Sequence, residues 1–104
     1  MEAKQNFYTQ GFQAFAKRDY DRAIELFQQA LAQDPAFAIA QQNLAEAYCQ
    51  KGEYDLAVES IRKVIEAQPN NVLAHTALSR YYQKKGMIPE AEYEMMIANS
   101  LRMS

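Results

Sequence analysis

Apolar residues recur along the chain at intervals of three and four, the spacing that lines side chains along one face of an α-helix, and Gly, Pro, Asn and Asp punctuate the pattern. The clearest stretch is Leu44 to Pro69, LAEAYCQKGEYDLAVESIRKVIEAQP, which reads as two amphipathic helices joined by a tight turn at Lys51-Gly52-Glu53. Sliding it by 34 residues in either direction returns the same pattern. Gly11, Ala45 and Ser79 fall in register, as do Ala23, Ala57 and Ala91, then Phe27, Ile61 and Met95, and the pair Pro35 and Pro69. A repeat of that period is one helical hairpin, which cannot bury its apolar face alone, so neighbours must stack.

Six helices follow from this reading. The first spans about Ala3 to Lys17, with Phe7, Gly11 and Ala14 on one stripe and Tyr8, Phe12 and Phe15 on another. Gly11 inside a helix costs about 1 kcal/mol relative to Ala, so it marks a place where another helix comes too close for a side chain. Asp19 caps a second helix, about Tyr20 to Gln33, whose inward stripe is Ala23, Phe27, Ala30 and Leu31. Asp34-Pro35 reads as a cap and first-turn proline opening the third helix, which runs to Lys51 with Leu44, Ala45 and Tyr48 inward; Gly52 ends it. The fourth, about Tyr54 to Gln68, buries Ala57, Ile61, Val64 and Ile65 and shows Glu59, Arg62 and Lys63 to solvent at helical pair spacing. The fifth, about Val72 to Lys85, carries Leu78, Ser79 and Tyr82 inward and closes at Gly86. Pro89 then sits in the first turn of a sixth helix to about Arg102, with Ala91, Met95 and Ala98 inward.

Composition narrows the classes of function. At 104 residues the chain is one domain, and it needs neither disulfide nor metal to fold. A net charge of -2 without any block of like charge gives no reason to expect nucleic acid or a membrane surface as partner. Cys49 is the single cysteine, which fits a reducing compartment, and the opening MEAKQNFYTQG has no apolar core of a signal peptide. No run approaches the length of a membrane span. A cytoplasmic protein is the expectation. Catalysis, cofactor and metal are not expected, because one His and one Cys form no recognised nucleophile or ligand set and no Gly-rich phosphate loop occurs. His75, in register with Phe7 and Gln41, reads as part of the packing or its rim, with a pH-sensitive contact as the other reading. Cys49 reads as a small half-buried side chain.

The chain resembles the tetratricopeptide repeat family over nearly its whole length, as three repeats of about 4–37, 38–71 and 72–104. The middle repeat carries Leu44, Ala45, Tyr48, Ala57, Ile61 and Pro69 at the family's positions. The first has Phe7, Gly11, Ala23, Phe27, Ala30 and Pro35, and the third Leu78, Ser79, Tyr82, Ala91 and Ala98. Gln41 and His75 depart from an early aromatic, Gln10 from a Leu, Ala14 from a Tyr and Met103 from a Pro. The resemblance implies an all-α fold, a right-handed superhelical stack of three helix-turn-helix hairpins, acting as a protein–protein interaction module with a concave groove for a peptide or helix of a partner.

In that family the first helix of each hairpin lines the groove. The matching residues here include Tyr8, Thr9, Phe12 and Phe15, then Ile39, Gln42, Asn43, Glu46 and Cys49, then Leu73, Thr76, Ala77, Arg80 and Lys84. One subfamily clamps the terminal carboxylate of heat-shock chaperones with two Lys, two Asn and an Arg; at those places this chain has Tyr8, Phe12, Asn43, Leu73 and Ala77, so only Asn43 survives. The groove is aromatic at its first repeat and basic at its third, which suits an apolar anchor near Tyr8, Phe12 and Phe15 and an acidic group near Arg80 and Lys84. The opposing reading is that the aromatic stripe packs on the third helix and the bases are a solvated face. On the second helices, an outer stripe that is Glu25, Gln29, Gln33 and then Glu59, Lys63, Ala67 becomes Tyr93, Ile97 and Leu101, flanked by Met96. That patch suggests self-association as a homodimer or higher oligomer, with a further helix that covers it or a tolerated exposed patch as the other readings. A small bacterial chaperone or assembly factor for secretion or pilus clients, and a regulatory domain of a larger protein, are the other roles this pattern fits.

Overall fold

The computed structural model describes residues 3–104. Its elements are α1 (Ala3–Ala16), α2 (Tyr20–Gln33), α3 (Ala38–Gln50), α4 (Tyr54–Ala67), α5 (Val72–Lys84) and α6 (Ile88–Arg102), with no strand among the described residues. The helices pair as α1 with α2, α3 with α4 and α5 with α6, and the pairs join through α2 on α3 and α4 on α5. The result is an elongated stack of 40 × 28 × 19 Å.

Each hairpin turns the same way because the same backbone device recurs at the period of the repeat. Residues 18, 52 and 86 all adopt the left-handed conformation, with φ of 65° at Arg18, 83° at Gly52 and 78° at Gly86. The next residue's N–H then reaches back to the helix it has left: Asp19 to the Ala14 carbonyl, Glu53 to that of Tyr48 and Met87 to that of Tyr82, each at 2.9 Å. Asp19 also caps α2, its carboxylate accepting from the Arg22 N–H at 3.2 Å.

The second connection differs from the sequence reading. Asp34 does not open α3: it ends α2, its N–H donating to the Ala30 carbonyl at 3.0 Å. Its carboxylate accepts the Ala36 N–H at 3.1 Å, closing a turn through Pro35, and takes the Lys4 ammonium at 2.8 Å. Helix α3 starts three residues later than the proline, at Ala38, without a side-chain cap. Asn71 does cap α5, accepting from the Ala74 N–H at 3.0 Å.

The core forms two linked clusters, one around Phe27, Leu26, Ile24, Leu44 and Ala47 between the first and second hairpins, the other around Ile61, Val64, Leu78, Tyr81 and Tyr82 between the second and third. The small residues sit where helices cross: Ala23, Ala45, Ala57 and Ser79 are fully enclosed. A Cβ on Gly11 would lie 2.7 Å from two ring carbons of Phe27. Ser79 uses its hydroxyl to bond the Ala91 carbonyl of α6 at 2.7 Å. His75 is buried between Glu94 of α6, 2.8 Å from Nδ1, and the Pro69 carbonyl, 2.7 Å from Nε2, and so ties the third hairpin to the turn before it.

Candidate partner-binding surfaces

The first helices of the hairpins, α1, α3 and α5, stand side by side, and bonds between their side chains define the face they share. Asn43 donates to the Tyr8 hydroxyl at 2.8 Å, tying α3 to α1. Arg80 and Glu46, 34 residues apart and in the same register of neighbouring hairpins, tie α5 to α3 through a two-pronged ion pair at 2.8 and 3.0 Å. Tyr81 donates its hydroxyl to the same carboxylate at 3.0 Å, and Gln50 its amide N–H at 3.1 Å.

Burial pushes the Glu46 carboxyl up, but the bonds from Arg80, Gln50 and Tyr81 outweigh it and leave the group below the usual carboxylate range. The same carboxylate holds Arg80 above its ordinary value despite partial burial. Burial raises the Tyr81 hydroxyl, and Glu46 raises it further. Cys49 is buried beneath this cluster, where desolvation and then the Glu46 charge push its thiol up, away from the reactive thiolate.

Over this polar floor stand apolar side chains. Phe12 is 51% exposed, Ile39 46% and Leu73 69%. Of the expected groove residues, Tyr8 is half-buried, its ring packed among Phe12, Phe27 and Phe37 at centroid distances of 6.3, 5.8 and 5.4 Å. Phe15 is half-buried and meets Tyr20 edge-on at 5.4 Å. The aromatic stripe is therefore divided, with Tyr8 and Phe15 in the packing and Phe12 open. Ala77 is half-buried and Lys84 exposed. Tyr81 and Gln50 escaped the sequence reading, since nothing local distinguishes Tyr81 from its neighbour Tyr82, although the opposite charges of Glu46 and Arg80 at repeat spacing point to the pair they complete.

A second surface lies on α6. Tyr93 and Met96 are each 58% exposed, whereas Ile97 and Leu101 are half-buried. The residues that join successive hairpins explain what is unusual here. Lys51 pairs with Asp21 and Lys85 with Asp55, both at 2.5 Å. Gln28 donates to the Tyr48 hydroxyl, and Arg62, rather than pairing with Glu59, donates to that of Tyr82. These contacts repeat at 34 residues, and on α6 the corresponding positions are Pro89 and Met96, which can make neither.

Among the described residues no group of three or more His, Cys, Asp or Glu could hold a metal ion, and no helix is long and apolar enough to cross a membrane. A family model described as tetratricopeptide repeat matches residues 14–81. Among solved structures, the crystal structure of MamA is 27% identical and covers 97% of this chain and 59% of its own, with a TM-score of 0.93. The chain thus spans about three fifths of that relative's length. The second repeat domain of Spaghetti (RPAP3), bound to the HSP90 peptide SRMEEVD, is 23% identical over 96% of this chain and 93% of its own, at 0.89. The Yersinia enterocolitica type III secretion chaperone SycD, in complex with a peptide of the translocator YopD, is 22% identical over 93% and 74%, also at 0.89, and it has been solved as an alternative dimer as well. None of the curated proteins matches the sequence.

Proposed function

The chain belongs to the tetratricopeptide repeat family, and on that premise we propose that it is a non-catalytic protein–protein interaction module whose α1–α3–α5 face takes a peptide or helix of a partner. The observation that carries this reading is the exposure of Phe12, Ile39 and Leu73 above a floor whose polar side chains bond to one another. Apolar side chains held open on a rigid floor are what a binding face needs, since covering them releases roughly 25 cal/mol per Å² at little ordering cost. Peptides bound to the repeat domain of Spaghetti and to SycD support the same use of the fold. The anchor points are Phe12, Ile39 and Leu73, with Tyr8, Phe15, Asn43 and Ala77 shaping the floor, and an acid of the partner reaches Lys84 rather than the engaged Arg80.

The test is selection of twelve-residue peptides from a displayed library, followed by NMR mapping of those that bind. Shifts centred on Phe12, Ile39, Asn43 and Leu73, and at least a tenfold loss of affinity in Phe12→Ala with the fold intact, are expected. Shifts confined to α2, α4 and α6 would sink the proposal.

A second reading concerns α6. Tyr93 and Met96 are open where the earlier hairpins have Glu25 and Glu59, and Gln28 and Arg62. Because Pro89 and Met96 cannot form the joints seen between hairpins, this patch suits a second copy of the chain better than a fourth repeat of the same kind. Tyr93, Met96, Ile97 and Leu101 are proposed as its self-association surface. Tyr93→Glu with Met96→Arg restores the residues of the middle hairpin, and light scattering across a dilution series should then show a dimer becoming a monomer. A monomer in the unaltered protein at every concentration would remove this reading and leave the groove untouched.

A further inference from the structure

The carboxylate of Glu46 sits in the middle of the α1–α3–α5 face with four bonds on it. Arg80 gives two, Nη2 to Oε1 at 2.8 Å and Nη1 to Oε2 at 3.0 Å; the Tyr81 hydroxyl gives Oε1 a third at 3.0 Å; Gln50 Nε2 gives Oε2 a fourth at 3.1 Å. The guanidinium is itself held in place, with its carbon 5.2 Å from the centre of the Tyr81 ring, and Tyr81 is fixed in the core. A planar fork, a hydroxyl and an amide converging on one point are the donor set that recognises a carboxylate. Here the chain supplies that carboxylate itself, and the Glu46 side chain remains 23% exposed on the face where a partner would lie.

We infer that Arg80, Tyr81 and Gln50 form a carboxylate receptor whose resident ligand is Glu46, so that the groove takes a partner segment carrying no carboxylate at its centre. This rests on the reading of the face as the partner groove and narrows what lies in it. A partner's acid approaching Arg80 meets a guanidinium already filled. Displacing Glu46 would exchange one carboxylate for another, gain no bond and leave two like charges side by side. Glu46 is also tethered, at an effective concentration that a free segment does not match. A segment that is apolar or uncharged at its middle leaves all four bonds intact while covering Phe12, Ile39 and Leu73. An acid fits only beyond the receptor, where Lys84 is exposed.

Acetate is the probe, because it supplies the functional group without a partner. Melting temperature and the Arg80 Nε–H resonance are followed as acetate replaces chloride mole for mole at constant ionic strength. The unaltered protein should not respond. Glu46→Ala, with the receptor vacated, should gain melting temperature saturably and shift the Arg80 resonance, and Glu46→Ala with Arg80→Gln should lose the response. A response in the unaltered protein equal to that of Glu46→Ala would show that Glu46 bars nothing; a flat Glu46→Ala, or a double variant that still responds, would show that no receptor exists. Should Glu46→Ala fail to fold, Glu46→Gln carries the same measurement, since its amide N–H turns against the guanidinium and cannot fill both prongs. Peptides mapping to another face would remove the groove and leave the acetate result standing, so the two failures are separate.

Discussion

Gly11 sets up the sharpest test of the packing, because two opposing magnitudes meet there. Replacing it with Ala removes the helical penalty of glycine, a gain of about 1 kcal/mol. The new Cβ would stand 2.7 Å from Cδ1 and Cε1 of Phe27 and 3.3 Å from Leu26 Cβ, whereas carbon atoms rest at about 3.5–4.0 Å. Phe27 is wholly enclosed, so its ring has no room to turn away. Overpacking of this kind costs about 1–3 kcal/mol. The clash should win: Gly11→Ala should lose up to about 2 kcal/mol in urea unfolding, and each kcal/mol lowers the melting temperature by about 4–8 °C in a domain of this size. The decisive arm is the background Phe27→Leu, in which Cε1 is gone and the methyls can rotate. There Gly11→Ala should stabilise by up to about 1 kcal/mol, so that the cycle returns a coupling of about 1–3 kcal/mol. If Gly11→Ala stabilises equally in both backgrounds, the ring is not what keeps position 11 bare.

Ala57, fully enclosed at a helix crossing, should respond to Ala57→Leu with a loss of about 1–3 kcal/mol in the same assay; a neutral result would put the register in error. Asp19→Ala removes the cap bond to the Arg22 N–H and should cost about 1 kcal/mol, while Asp19→Asn should cost much less. Glu46 lies below its ordinary range when folded, so its contribution is present above about pH 4.5 and is lost as pH falls through the lower folded value. Asp34, lowered first by its bond from Lys4, adds to the same acid loss. The urea midpoint should therefore drop on acidification, and less steeply in Arg80→Gln; equal slopes would show that the pair does not titrate with folding.

The hairpins were legible because their punctuation is local. Gly52 and Gly86 stand where φ must be positive, and Asp19 and Pro89 stand where first turns accept them. Asp34-Pro35 differs from its reading because local pattern alone does not fix its role. The dipeptide suits either a cap or a turn, and here the Asp34 carboxylate accepts the Ala36 N–H within the turn while its other oxygen takes Lys4, thirty residues away. The inward stripes were legible from period alone, yet Ile24, Leu26 and Tyr81, which lie off those stripes, are also buried in the core.

The site shows the same division more sharply. A sequence displays which charges a face carries, but not which of them are already engaged. Arg80 reads as an open base until Glu46, one repeat earlier, is seen to fill it. Tyr8 reads as an anchor until Asn43 and Phe37 are seen to hold it. Repeat proteins offer a way round this, since residues one period apart are neighbours in space, and opposite charges or a donor and an acceptor at 34 residues can be paired from the sequence alone. The same bookkeeping reads size as well as charge. Gly11 faces Phe27, and in register Ala45 stands with Ile61 and Ser79 with Met95, so the smallest residue accompanies the one rigid ring and the hydroxyl accompanies the flexible thioether. Exchanging the partners of one hairpin for those of another should be tolerated only when both members move together, with single exchanges lowering the urea midpoint and paired exchanges leaving it near that of the unaltered protein.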